Sequence, residues 1–144
     1  MLIQQILKTK ALKGVVTIKP DATVSEAAGR LTEHRIGSIV VSEDGSSVLG
    51  ILSERDIVRE LAKSGGGCLT YPVRDYMTTQ VQTCTIQSKA QELMARMTQG
   101  RFRHMPVVDG DKMIGIVSIG DVVKAQLSEL SMEKEALTSM IMGH

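Results

Sequence analysis

The feature that most limits what this chain can fold into is an internal repeat. GILSERDIV at 50–58 returns as GIVSIGDVV at 115–123, an offset of 65. Upstream, IGSIVV at 36–41 aligns with FRHMPV at 102–107 at an offset of 66, as does Leu31 with Met97. The one-residue change falls where Ser42 to Ser47 faces the shorter Val108 to Asp111. Length changes belong in turns, so the two copies align as structures would. A sequence repeated in this way specifies one supersecondary unit twice.

Both copies parse alike. A short β-branched segment, Val15 to Ile18 or Val81 to Ile86, predicts a strand. A helix start of capping-box form follows, Thr23 to Glu26 in one copy and Ser88 to Gln91 in the other. Apolar residues then recur at helical spacing: Val24, Ala27, Ala28 and Leu31, then Ala90, Leu93, Met94 and Met97. Next come two apolar runs around an Asp-Gly turn, Ser38 to Val41 with Val48 to Leu52, and Met105 to Val108 with Met113 to Val117. A last helix follows each Ser-x-x-Asp. The fold class is therefore α/β, a tandem β-α-β-β-α repeat.

Residues 1–66 hold the first copy with an N-terminal segment, and 67–144 the second with an extended C-terminal helix. Ser64 to Gly67 reads as a flexible break and not as a phosphate loop, because no Lys-Ser/Thr follows. A copy of about 60 residues buries too little surface to stand alone. The two are expected to share one core about a pseudo-twofold axis, with a symmetric pair of clefts between them.

Composition narrows the function. Seventeen Lys and Arg oppose sixteen Asp and Glu, a net charge of +1, which offers no general field for nucleic acid. One Phe, two Tyr and no Trp make no stacking platform for single strands. No apolar run approaches the ~20 residues of a membrane span, and no signal peptide is visible, so a cytoplasmic protein is expected. Cys68 and Cys84 fit neither a CxxC motif nor a zinc knuckle and read as reduced thiols. His34, His104 and His144 are scattered, so no metal site is expected, and the nine methionines read as packing and adaptable surface. No nucleophile-base pair or catalytic carboxylate pair assembles, so no enzyme is expected.

Two tandem units with Gly-h-h-Ser-x-x-Asp opening each last helix, and Met-Pro-Val-Val-Asp before the second turn, resemble a pair of cystathionine-β-synthase (CBS) domains, a Bateman module. The resemblance runs from about residue 8 to 125, and SERDIVRELA, VRDYMT and RFRHMPVV are similar to stand-alone two-repeat bacterial and organellar members. It implies a regulatory module that binds adenosine-containing ligands (AMP, ADP, ATP, NAD(H) or S-adenosylmethionine) and signals to a partner protein. A module that regulates its partner without a nucleotide is the alternative.

The chemistry of the residues is compatible. Ser and Asp three apart at a helix N-terminus set a hydroxyl and a carboxylate beside free backbone amides. The same pair is also a natural helix cap. By the resemblance, one site takes Val16, Thr17, Ile36 and Gly37 against Ser118 and Asp121, with Arg103 and His104 reaching phosphate. The other takes Val81, Thr83 and Phe102 against Ser53 and Asp56, with Arg55 as a cation. Arg101, Arg103 and His104 have Ile-Gly-Ser at or near the equivalent places in the first copy, so phosphate affinity is expected to concentrate on the second. Gln87 stands where the first copy has Pro20, a departure from the pattern. Finally, Val123, Leu127, Leu130, Leu137 and Ile141 form a stripe of coiled-coil type interrupted by Lys134. It is expected to be core at its start and a homodimer interface beyond, with the stripe Leu2, Ile3, Ile6 and Leu7 nearby.

Overall fold

A computed structural model describes residues 1–10 and 14–142. The elements run α1 (Ile3–Thr9), β1 (Thr17–Ile18), α2 (Val24–His34), β2 (Ser38–Val41), β3 (Gly50–Ser53), α3 (Glu54–Ser64), α4 (Ala90–Gly100), β4 (His104–Asp109), β5 (Lys112–Ser118) and α5 (Ile119–Ile141). Two short 3-10 turns, Gly65–Thr70 and Val73–Asp75, lie between α3 and α4. The β-α-β-β-α order expected for the first copy is present. β1 pairs in parallel with β2, and β2 antiparallel with β3 in the register Ser38 to Ser53 and Val41 to Gly50. In the second copy the leading strand is reduced to one parallel bridge, Cys84 to Val107, so Val81–Ile86 is not a strand. That bridge lies 66 residues on from Ile18 to Val41, which keeps the pairing where the repeat puts it.

Local chemistry explains where the elements start and stop. Thr23 accepts a bond from the Glu26 N–H and begins α2. α2 and α4 both end on an arginine in the left-handed region, Arg35 at φ 54 and Arg101 at φ 58. The next amide donates back into the helix, Ile36 to Leu31 and Phe102 to Met97, a Schellman-type closure that turns the chain into the following strand. The hairpin turns use Gly45 at φ 86 and Gly110 at φ 62, where a side chain would be strained. Asp44 ties the first turn by accepting from the Ser46 and Ser47 amides.

The described residues of the chain form two compact units. One takes its residues from 1–13, 83–107 and 115–144, the other from 14–82 and 108–114. In the second of these, Ile39 and Val41 face α2 and α3 and pack with Val24, Ala27, Leu31, Leu52 and Ile57. In the first, Met105, Val107 and Val117 pack with Leu93, Met97, Val122 and the leader residues Ile3 and Ile6. Each fully buried Leu or Ile in these cores contributes about 1.5–3 kcal/mol relative to exposure.

Spatial grouping and chain order differ. The segment that precedes the first repeat packs on the second, and the segment between the repeats packs back on the first. The two docking modes use the same bonds. Ala90 N–H donates to the Met1 carbonyl and Val24 N–H to that of Tyr71. Ile3 donates to Ser88 and Val73 to Ala22, while Gln4 donates to Ile86 and Arg74 to Pro20. Residues 1–7 and 71–77 are thus a further repeat at an offset of 70, exchanged between the two bodies. The same bonds set Ile86, not Gln87, at the place of Pro20.

Three further expectations change. Ser64 to Gly67 is not a flexible break: it closes α3 at Gly65 and enters a 3-10 turn that buries Cys68 completely. Ser88 does not cap α4. Lys89, which answers to Thr23 at the offset of 66, occupies the cap position and has no side-chain oxygen to accept a bond, while the Ser88 hydroxyl accepts from Thr85 N–H. On α5 the core residues are Val122 and Ala125, one face away from the expected stripe. Val123, Leu127, Leu130, Leu137 and Ile141 are all exposed.

A glycine in each body makes room for the exchanged segment. A Cβ on Gly115 would meet Leu7 Cδ2 at 2.8 Å, the movable end of a side chain. A Cβ on Gly50 would meet Met77 Sδ at 2.6 Å and the Thr78 carbonyl oxygen at 2.8 Å. That oxygen is fixed by the paired Ile51 to Thr78 bridge. Gly50→Ala is therefore expected to cost about 1–3 kcal/mol by overpacking, and Gly115→Ala clearly less. Urea denaturation of both variants checks the order.

Candidate functional site

Both last helices start in the same way. The Ser118 hydroxyl accepts from the Asp121 N–H at 3.1 Å, and Asp121 Oδ2 accepts from the Ser118 N–H at 2.8 Å. In the first repeat the corresponding distances for Ser53 and Asp56 are 3.2 and 2.9 Å. The sequence alternatives, helix cap or ligand group, are thus not exclusive. The reciprocal cap consumes one carboxylate oxygen and fixes the other in place.

The residues before the middle strand lie against these caps. Glu54 N–H donates to the Gly37 carbonyl at 2.9 Å, and Ile119 N–H to the Arg103 carbonyl at 2.7 Å. One body therefore collects Ile36, Gly37, Ser53 and Asp56, and the other Phe102, Arg103, His104, Ser118 and Asp121. Val16, Thr17, Arg55 and Val81 belong with the former and Thr83 with the latter. Arg55 and Arg103 are exposed, and His104 is partly buried.

The two caps differ in their cations. Asp56 Oδ1, the oxygen not used by the cap, faces Arg59 of the same helix at 3.4 Å. At Asp121 the cation is Lys10, delivered by the segment after α1, and it sits on the capped oxygen Oδ2 at 2.9 Å. Lys10 also donates to the Ile116 carbonyl at 2.7 Å. Nothing in the repeat pattern marks Lys10, because the contact depends on the exchanged segment. Burial pushes the Asp121 carboxyl up, but the Ser118 amide and the bond and charge of Lys10 outweigh it and hold the group below its ordinary 3.8.

A second unmarked residue is Ser38, which stands 66 residues before His104. It lies at the end of β2 opposite Ser53, on the face of the strand that does not meet α2 and α3. Its hydroxyl is buried with no hydrogen-bond partner among the described residues. A buried hydroxyl left unpaired costs about 1–3 kcal/mol. Where the second repeat carries an imidazole at this position, the first carries a small neutral polar group.

Two open clefts lie within the body containing β1 to β3. One of about 600 Å³ runs along Thr17, Lys19, Glu26, Arg30 and the turn at Glu43 and Asp44. Its carboxylates outnumber its cations, and the Ser47 and Ser46 amides hold Asp44 well below the usual carboxylate range, so it does not suit an anion. The other, of about 450 Å³, lies between α2 and α3 and reaches Ile36, Gly37 and Glu54.

Among the described residues no group of His, Cys, Asp and Glu could hold a metal ion, and His144 lies outside them. Both cysteines are free and buried, and burial pushes the Cys84 thiol up to about 11, which makes it a poor nucleophile. No helix of the described residues is long and apolar enough to cross a membrane.

The CBS-domain family model matches residues 7–63 and 73–128, one Ser-x-x-Asp in each match. A mitochondrial CBS domain-containing protein of Arabidopsis thaliana is 37% identical over 127 residues, 85% of this chain, and the chain spans 62% of that protein's length. The crystal structure of a CBS-domain containing protein from Agrobacterium tumefaciens superposes with a TM-score of 0.83 at 44% identity, covering 88% of this chain and 99% of that one. A CBS domain protein of Pyrobaculum aerophilum complexed with AMP shares the fold, with a TM-score of 0.78 at 24% identity, over 92% of this chain and 99% of that one.

The depressed Asp121 carboxyl fixes a sign. Its bonds to Ser118 and Lys10 stabilise the folded state fully above the unfolded value near 3.8, and that contribution is lost as pH falls through the lower folded value. Asp121→Asn is expected to be less stable than wild type at neutral pH and to show a shallower acid limb below about pH 4. Thermal melts of both proteins as a function of pH read this directly.

Proposed function

The chain belongs to the CBS-domain family, and from that premise we propose that it is a non-catalytic regulatory module that binds an adenosine-containing ligand and reports it to a partner protein. The observation that carries this reading is the doubled cap. Each last helix holds a carboxylate rigidly at its N-terminus, where backbone amides and the helix dipole favour a phosphate-bearing ligand. The AMP complex of the similarly folded Pyrobaculum protein agrees with that chemistry.

In this reading Asp121 Oδ1 accepts the ribose hydroxyls, Ser118 and the first amides of α5 face the phosphate, and Arg103 and His104 add positive charge. Val16, Thr17, Ile36 and Gly37 hold the base. A second, weaker site uses Ser53, Arg55 and Asp56 with Val81, Thr83 and Phe102. Its carboxylate is partly engaged by Arg59, and a purely structural cap accounts equally well for Ser53 and Asp56. AMP, ADP, ATP and NAD(H) share the ribose and phosphate that such a site reads. A ligand bridging the two repeats would bind one relative angle of them better than others, which is how it would signal. Two free, buried thiols suit the cytoplasm or another reducing compartment.

Ranking the two carboxylates tests the reading. Each charge-assisted bond to a ribose hydroxyl is worth roughly 1.5–3 kcal/mol, and 1.4 kcal/mol is about tenfold in affinity. Asp121→Ala is expected to weaken AMP binding on the order of a hundredfold, and Asp56→Ala by less. Calorimetric titration decides, and equal losses or a larger loss for Asp56→Ala would reverse the assignment.

The exposed half of α5 carries the assembly proposal. From Leu130 onward every described residue is exposed, with Leu130, Met132, Leu137, Met140 and Ile141 among them. A second copy of this chain is the occupant we assign to that surface, through the stripe Leu127, Leu130, Leu137 and Ile141. Ending the chain after Ser128 should lower the mass seen by light scattering and leave AMP binding within a factor of about two. An unchanged mass places any dimer contact elsewhere.

A further inference from the structure

Lys10 is the end of the exchanged segment, the C-cap of α1 in extended conformation at φ −69 and ψ 133. Its ammonium carries three donors. One goes to the Ile116 carbonyl at 2.7 Å and one to Asp121 Oδ2 at 2.9 Å. Among the described residues the third has no partner, and neither has Asp121 Oδ1. The pair is largely shielded, with side-chain exposures of 22% and 25%. An unused donor and an unused acceptor therefore stand side by side at the N-terminus of a 23-residue helix.

Charge separates their tasks. Lys10 balances the charge of Asp121, and the helix N-terminus adds partial positive charge beside them. A neutral hydroxyl satisfies the carboxylate, whereas the ammonium is best satisfied by an anion. In the first repeat the offset of 70 that relates the exchanged segments puts the neutral Gln80 in the place of Lys10. Asp56 there has only Arg59, from its own helix.

We propose that Lys10 is a specificity residue, the group by which the Asp121 half-site selects a ligand bearing phosphate over the same ligand without it. Asp121 Oδ1 reads the hydroxyls, and the third ammonium donor reads a phosphate oxygen. This rests on the nucleotide-binding reading above and extends it to a residue outside both Ser-x-x-Asp motifs.

The test is the ratio of AMP to adenosine affinity, measured calorimetrically for wild type, Lys10→Met and Lys10→Arg. Wild type is expected to prefer AMP. Lys10→Met should lose about tenfold for AMP and stay within about twofold for adenosine, and Lys10→Arg should restore most of the preference. If Lys10 only clips the segment to β5, AMP and adenosine affinities fall together and the ratio stays put, which overturns the proposal. Wild type binding the two equally overturns it also, with the nucleotide reading intact. Wild type binding neither removes that reading and the proposal together. Lys10→Gln, which keeps a donor for the Ile116 carbonyl without the charge, is measured in the same way should methionine unfold the protein.

Discussion

The first amides of a helix have no partner inside it, and in this protein that deficit decides how the chain is put together. Val24 and Ala90, the first residues of α2 and α4, donate to carbonyls of a segment that belongs in sequence to the other repeat. Around each such bond lie two more backbone bonds and an apolar anchor, Val73 in one case and Ile3 in the other, both fully buried. Each body is completed by seven residues it does not itself encode. The arrangement also brings the Lys10 ammonium to Asp121, since α1 follows the residues engaged at α4 and sets Leu7 against Gly115 of β5.

Much of this was legible in the sequence. The hairpins β2–β3 and β4–β5 and the helices after each Ser-x-x-Asp sit where periodicity and turn residues put them. Side-chain caps and left-handed turns are local interactions, and local patterns report them. The exchanged segment was not legible, because its signal is long-range and mostly backbone. Only Val73 with Ile3, Tyr76 with Ile6 and Met77 with Leu7 keep an apolar match. Ser88 failed as a cap because α4 starts one residue later than the local pattern suggests, after Lys89, the counterpart of Thr23. On α5 the coiled-coil spacing was real but marked the outer face. The inner face is held by small, unremarkable positions, Val122 and Ala125.

The candidate site divides along similar lines. Ser53, Asp56, Ser118 and Asp121 could be named from spacing alone, since three residues is the reach of a reciprocal cap. What distinguishes the two caps could not be, because it lies in which oxygen the cation takes. Arg59 approaches the free oxygen of Asp56 from its own helix, whereas Lys10 doubles up on the oxygen that Asp121 already spends on Ser118. Two carboxylates in the same Ser-x-x-Asp motif thereby acquire different spare capacity. The buried Ser38 hydroxyl, at the position that answers to His104 in the other repeat, makes the same point, a polar group whose significance is visible only once its lack of a partner is.

The exchange of segments also orders events during synthesis. The ribosome makes residues 1–10 before any of the body on which they pack, so their apolar face stays without its partner until residues 83–107 and 115–125 have followed. The other body waits less: most of it lies within 14–82, and its exchanged segment lies near the end of that stretch. At about 5–20 residues per second the delay between the first segment and its body is on the order of ten seconds. Contacts this remote in sequence also slow folding, because a long loop closes before they repay it. The nascent chain therefore passes through a state with one finished body and one apolar segment still in water, the interval in which a chaperone or a second nascent copy could claim it.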